Sequence, residues 1–265
     1  MNPTLRSLAI LALLAAAPAA LVAQEERPRG KIDEVERDAR RDDDADDGGH
    51  WWAVELFGDV FKAIFATPKE PGQGYLPYPY AGDGALESFV LSDVQRGRRF
   101  GNLSIGRFDD ASSTLRGTLV TFEGANDALR YTLEWSHYRE PKPNEVDRLS
   151  DFRAGIGAAA RLGRVGYVPV GVGARVVCLD NGDCAGGGDF ELGARLFPVR
   201  PIGLSATFRI GGMSWAGGSE FLVTQSQTAL SVFFGRVEVS AGWHWLKLGS
   251  ASAFAGPTFA SRIWL

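Results

Sequence analysis

The stretch Ile202-Gly203-Leu204-Ser205-Ala206-Thr207-Phe208-Arg209-Ile210-Gly211 changes character at every residue. Successive side chains of an extended chain point to opposite faces. Ile202, Leu204, Ala206, Phe208 and Ile210 therefore share one apolar face, and Arg209 lies on the other among glycine, serine and threonine. This predicts a strand with one greasy and one polar side. The pattern recurs in Leu129, Tyr131, Leu133 and Trp135 against Arg130, Thr132, Glu134 and Ser136. It recurs in Phe190, Leu192, Ala194 and Leu196 against Glu191, Gly193 and Arg195, and in Val237, Val239, Ala241, Trp243 and Trp245 against Arg236, Glu238, Ser240, Gly242 and His244.

Ten such segments follow one another: 98–108, 112–123, 128–139, 149–162, 166–178, 188–197, 201–211, 223–234, 236–248 and 253–265. Each is close to the length of about 9 to 11 residues that a tilted strand needs to cross a bilayer. The links alternate. Short ones fall at 124–127, 163–165, 198–200 and 235; long polar ones are expected at 140–148, 179–187 and 212–222, with modest ones near 109–113 and 249–252. Sorting of short and longer loops to opposite ends is the habit of outer-membrane barrels, whose short turns face the periplasm.

The polar faces carry Arg130, Glu134, Arg153, Arg161, Arg175, Glu191, Arg195, Arg209, Arg236, Glu238, His244 and Arg262. A charge turned to lipid costs about 2–4 kcal/mol at the midplane. The apolar sets contain none, so they are expected to meet lipid and the charged sets to line the lumen. A closed sheet satisfies every backbone group, as hydrocarbon requires. Aromatic residues concentrate towards strand ends, and Trp135, Trp243, Trp245 and Trp264 are expected at the lipid interfaces. Neighbouring strands suggest the pairs Arg209 with Glu191, Arg262 with Glu238 and Arg153 with Glu134.

The fold class expected is all-β: a closed antiparallel transmembrane β-barrel of about ten strands, with eight or twelve as the alternatives, preceded by one short amphipathic helix. Four regions are expected. Residues 1–23 read as a signal peptide, with Arg6 ahead of an apolar core and small residues before Ala23. Residues 24–50 hold eleven acids and six bases with almost nothing apolar, which predicts a disordered acidic periplasmic linker. Residues 51–97 comprise a helix, with Val54, Phe57, Phe61, Ile64 and Phe65 on one face, and a Pro/Gly/Tyr-rich connector. The barrel spans 98–265. Cys178 and Cys184 are expected to form a disulfide closing one loop tip, worth about 2.4 kcal/mol by chain entropy. The expected location is the bacterial outer membrane with the N-terminus periplasmic.

The segment Gly256-Pro257-Thr258-Phe259-Ala260-Ser261-Arg262-Ile263-Trp264-Leu265 resembles the terminal β-signal of bacterial outer-membrane proteins. That pattern usually ends in Phe, whereas here it ends Trp264-Leu265. Residues 98–265 as a whole are similar to small OmpA-type and porin-like barrels. The resemblance implies two partners: outer-membrane lipids, and the barrel-insertion machinery acting through the C-terminal strand.

Chemistry is sparse. No catalytic, cofactor-binding or metal residue is assigned, since the chain has no nucleophile elbow, phosphate loop or metal-spaced His/Cys cluster. Outside the leader the charges balance, which leaves no surface for nucleic acid. The pattern assigns no oligomeric state. The expected role is structural, or passive passage of small solutes through a lumen lined by Arg/Glu pairs. Arginines outnumber acids among the residues singled out, which predicts a weak preference for anions. A membrane-embedded enzyme at the rim, protease- or acyltransferase-like, is one alternative. Omptin proteases use carboxylates and a histidine at the extracellular rim, and Asp109, Asp110, Glu140 and Asp147 are near that side, with His137 pointing outward there, though no omptin motif is present. The helix ahead of the barrel is similar to the arrangement of the outer-membrane palmitoyltransferases, whose catalytic set has no residue-by-residue match here. A secreted lipocalin-like binder, apolar face inward, is the other.

Overall fold

Period-two alternation and β-branched or aromatic residues on one face produce ten strands that close on themselves. The computed structural model describes residues 30–39, 99–126, 129–143, 146–162, 166–216 and 218–265, without the side chains of 99, 100, 126 and 160–162. The expected leader 1–23, the helix over 51–65 and the connector to 97 lie outside the described residues. The strands are β1 (Arg99–Asp109), β2 (Arg116–Asn126), β3 (Leu129–Pro141), β4 (Val146–Leu162), β5 (Gly166–Leu179), β6 (Cys184–Val199), β7 (Ile202–Trp215), β8 (Glu220–Phe234), β9 (Val237–Leu248) and β10 (Phe254–Trp264). Each pairs antiparallel with its chain neighbours, and β1 pairs with β10 to close the barrel. No edge is left unpaired, which removes the open row of backbone donors and acceptors that an edge strand exposes.

All four links at one end are short, spanning 127–128, 163–165, 200–201 and 235–236. The other end carries 110–115, 142–145, 180–183, 216–219 and 249–253. These are shorter than expected. The stretches 140–148, 179–187 and 212–222 are largely strand, with Ala185 opposite Trp215 and Gly187 opposite Met213. Glycine-rich polar sequence reads as loop, but a long hairpin satisfies the same backbone groups by pairing. Gly235 turns β8 into β9 at φ +57°, a conformation that costs glycine least.

Register sorts the side chains. Ile105, Val120, Trp135, Phe152 and Val176 lie side by side across β1 to β5 on the outer face. Ile105, Ile156 and Phe259 are each more than half exposed. Arg175 and Glu191 point inward and are 2% and 1% exposed. The molecule is apolar outside and ionic inside. A lipocalin-like arrangement, with the apolar set enclosed, is not the one adopted.

The acidic leader departs from expectation at Lys31–Ala39, which forms helix α1. Ile32 and Val35 are one turn apart and buried; Asp33 and Glu34 occupy the first turn and Arg37 the last, complementing the helix dipole. Nine residues do not make a stable helix in water. Docking supplies what propensity lacks. Ile32 and Val35 join an apolar cluster with Phe108, Leu115, Tyr138, Leu246 and Phe254 at the loop-side mouth. Lys31 Nζ donates to Asp110 at 2.9 Å, Glu140 Oε2 accepts from the Ile32 amide at 2.9 Å, and Ser250 and Ser252 amides donate to Asp38 and Glu34. Lys142 pairs with Asp33. Two apolar residues are enough to hold this segment when a preformed mouth receives them.

Cys178 and Cys184 face each other across β5 and β6 and form a disulfide. The enclosed tip is a turn: the Leu179 amide donates to the Asp183 carbonyl, the Gly182 amide donates to the Leu179 carbonyl, and the Asp183 amide donates to Asn181 Oδ1 at 2.9 Å.

Candidate functional site

The lumen is filled in layers. At the turn-side end Ala125, Tyr167, Phe197, Phe233 and Trp264 make an aromatic floor. At the loop-side end the apolar cluster beneath α1 makes a lid. Between them lies a lattice of arginines and carboxylates.

Strand order places the lattice. The register sets Arg209 opposite Glu191, Arg153 opposite Glu134 and Arg262 opposite Glu238. Arg209 Nε donates to Glu191 Oε2 at 2.9 Å, and its Nη1 reaches across to Glu134 of β3 at 2.7 Å. In a ring of ten, β3 and β7 stand on opposite walls, so this guanidinium spans the lumen. Arg130 pairs with Glu123 at 2.7 Å and with Glu191. Arg195 of β6 donates to Glu123 of β2 at 2.7 Å and to the Tyr167 hydroxyl at 3.1 Å. Arg153 holds Asp189 at 2.7 Å and Glu191 at 3.1 Å, and Arg175 clasps Asp151 through two nitrogens.

Space for these head groups is made by glycine. Gly155 and Gly173 face each other on β4 and β5, and a Cβ on either would stand within 2.8 Å of the Arg153 guanidinium. Nearer the floor, Glu238 accepts from Ser231 at 2.7 Å, Trp264 Nε1 at 3.0 Å and Arg262 at 3.3 Å. His244, 1% exposed, meets the Tyr138 hydroxyl through Nε2 at 3.2 Å and packs edge-on against Phe108.

Several of the residues singled out lie elsewhere than expected. Arg236 is in the β8–β9 turn and exposed, not in the lumen, because β9 begins one residue later at Val237. The side chain of Arg161 is outside the described residues. Trp264 points inward to Glu238 rather than to a lipid interface: it lies two residues from Arg262 and shares its face. Tyr167 and Phe197 join it in the floor, at even spacing from Arg175 on β5 and Arg195 on β6. Trp135 is exposed on the outer face; Trp243 is half-buried there, and Trp245 shares its side but is 6% exposed.

Sequence reasoning missed Glu123, Asp151 and Asp189. Parity could have found two of them, since Asp151 lies two residues from Arg153 and Asp189 two from Glu191. With these three, the ion pairs of the described lattice join six arginines (130, 153, 175, 195, 209, 262) to six carboxylates (123, 134, 151, 189, 191, 238). Among the described ion pairs of the lattice arginines and carboxylates balance, without the excess of arginine from which the anion preference was expected. The rim carboxylates Asp110 and Glu140 anchor α1.

No protein-family model matches the chain, and no curated protein matches it in sequence. Among solved structures, the chain is similar to an outer membrane channel from Pseudomonas putida F1, with a TM-score of 0.38 and 8% identity over 74% of this chain and 98% of that one. It is similar to a loop-deletion mutant of OmpT, an outer membrane protein of Vibrio cholerae, with a TM-score of 0.35 and 10% identity over 79% and 72%. Neisserial surface protein A gives a TM-score of 0.28 and 11% identity over 62% and 94%.

Proposed function

We propose that the protein is a bacterial outer-membrane barrel whose role is structural, with a lumen closed to solutes in this state. The membrane reading rests on the inverted surface: a continuous apolar exterior is stable only against hydrocarbon, and the sheet that carries it has no edge. The barrel form supports outer-membrane placement, and the sorting of links supports a periplasmic short-turn end; in that orientation α1, docked at the loop-side mouth, lies at the outer face and not in the periplasm expected for residues 24–50.

The observation that carries closure is the Arg209–Glu134 pair across the lumen, held within a lattice that also joins Arg130 to Glu191 and Arg195 to Glu123. A barrel this narrow is filled by its own side chains. A passive small-solute route would need several of these pairs to part at once. Electrical recording from the purified protein in planar bilayers tests the reading: no steps above baseline are expected, and steady ohmic conductance would replace the closed barrel with a pore.

A further inference from the structure

Outside the barrel, at the loop-side rim, the register brings together an unusual row. Arg116 of β2 stands directly opposite Arg139 of β3, and Arg139 directly opposite Arg148 of β4. Directly paired residues have Cβ atoms about 4.5–5.5 Å apart, so three guanidinium groups stand on about 10 Å of surface, and like charges so placed repel. All three are exposed. Asp109 lies 3.5 Å from Arg116 but is shared with Arg107, and Asp180 lies 3.9 Å from Arg148. Arg139 donates to His137 Nε2 at 3.0 Å and has no carboxylate in ion-pair range among the described residues. Among the described residues, four arginines thus face two carboxylates on this flank. The outward positions at the same end of β8 and β9 hold Glu220 and Lys247, which cancel.

Depth matters as much as charge. Val120, Trp135 and Phe152 form the last apolar rung below the row, each four residues from its arginine. Four residues of tilted strand rise about 10 Å along the membrane normal, which carries the guanidinium groups from the edge of the hydrocarbon into the headgroup layer. Below Arg107 a groove of about 710 Å³ on the outer face is lined by Ile105, Leu230, Phe234, Val239 and Phe259. Arg107 lines this groove and Arg116 stands on the neighbouring strand, with Arg139 and Arg148 one and two strands further on, so the groove borders the row and can take an acyl chain whose anionic head lies towards it.

We propose that Arg116, Arg139 and Arg148 form a binding site for the phosphate group of a membrane lipid. The site relieves the mutual repulsion of the row, and bidentate guanidinium–phosphate contacts suit it. It rests on the membrane reading above.

The test is native mass spectrometry of the purified barrel in a neutral detergent, titrated with phosphatidic acid, with diacylglycerol of the same chains, or with inorganic phosphate. Phosphatidic acid is expected to bind at least tenfold more tightly than diacylglycerol. R116Q/R139Q/R148Q is expected to lose that preference, and K247Q to keep it. R139Q alone separates binding from architecture: without lipid its melting temperature should stay level or rise, as repulsion is removed, while phosphatidic acid binding falls several-fold. Unchanged binding in the triple variant overturns the site, and equal binding of diacylglycerol assigns affinity to the groove alone. Displacement of phosphatidic acid by an equal concentration of inorganic phosphate overturns the lipid as source. A chain that stays monodisperse without detergent would instead remove the membrane reading itself.

Discussion

At the scale of single residues, the lattice trades desolvation against pairing. Moving a guanidinium and a carboxylate out of water is expensive, and their attraction repays it only with good geometry and full pairing. Arg209 serves Glu134 and Glu191 together, so Arg209→Leu leaves two enclosed carboxylates short of a partner. The expected loss is about 3–5 kcal/mol, read as a lower urea midpoint in gel-shift unfolding. A double variant, Arg209→Leu with Glu134→Leu, should recover part of it, because both sides of one pair leave together. If the double variant is as unstable as the sum of the singles, the cross-lumen pair is not an energetic unit.

The pairs on neighbouring strands were legible because hairpin order and alternation together put Glu191 beside Arg209. The pairs across the lumen were not, since no local pattern in β3 or β7 encodes the width of the ring. Strand-end position suggested an interface for Trp264, while its spacing of two from Arg262 placed it inside.

At the scale of elements, α1 is held more by its receptor than by its own sequence. Ile32→Asp would bury an unpaired charge beside Phe108 and Leu246. Faster amide hydrogen exchange confined to 31–39 is expected, with the barrel strands unchanged; loss of protection in β1 or β10 as well would mean that α1 holds the barrel rather than caps it. Docking should depend on pH. Burial pushes the Asp110 carboxyl up, but the Ala255 amide and the Lys31 ammonium outweigh it and hold it below the ordinary carboxylate value. Its contribution is therefore present above about pH 4 and lost as pH falls through the lowered value. Burial pulls the Lys142 ammonium down, but Asp147 and Asp33 raise it above its ordinary value, so that contribution is lost only in strong alkali. Exchange at 31–39 followed from pH 7 to pH 2 should accelerate at the acid end; a flat profile would remove Asp110 from the contact.

The Cys178–Cys184 bridge is another matter. The register pairs its ends in any case, so Cys178→Ser with Cys184→Ser should cost no more than the chain-entropy value of about 2.4 kcal/mol and leave the heat-modifiable gel shift intact. The ten strands were readable because period two survives on every polar face. Helix α1 was not, because a nine-residue helix with two apolar contacts has no signature apart from the mouth that receives it.

At the scale of the molecule, an apolar exterior around an ion-paired interior makes the environment part of the fold. Unboiled samples in detergent should migrate faster than boiled ones on electrophoresis, as closed barrels do. Identical mobility before and after heating would contradict closure.

The β1–β10 seam has a consequence for how the barrel comes to exist. The strands that meet there, Leu103 against Ile263 and Phe108 against Thr258, are separated by eight intervening strands in sequence, whereas every other neighbour is joined by a short hairpin. Hairpins can form one after another, but a nine-stranded arc in lipid would carry two bare edges, each a ladder of unsatisfied amides and carbonyls. Assembly is thus cooperative at its last step: the ribbon must be shielded until its two far ends meet, and then it commits as a whole.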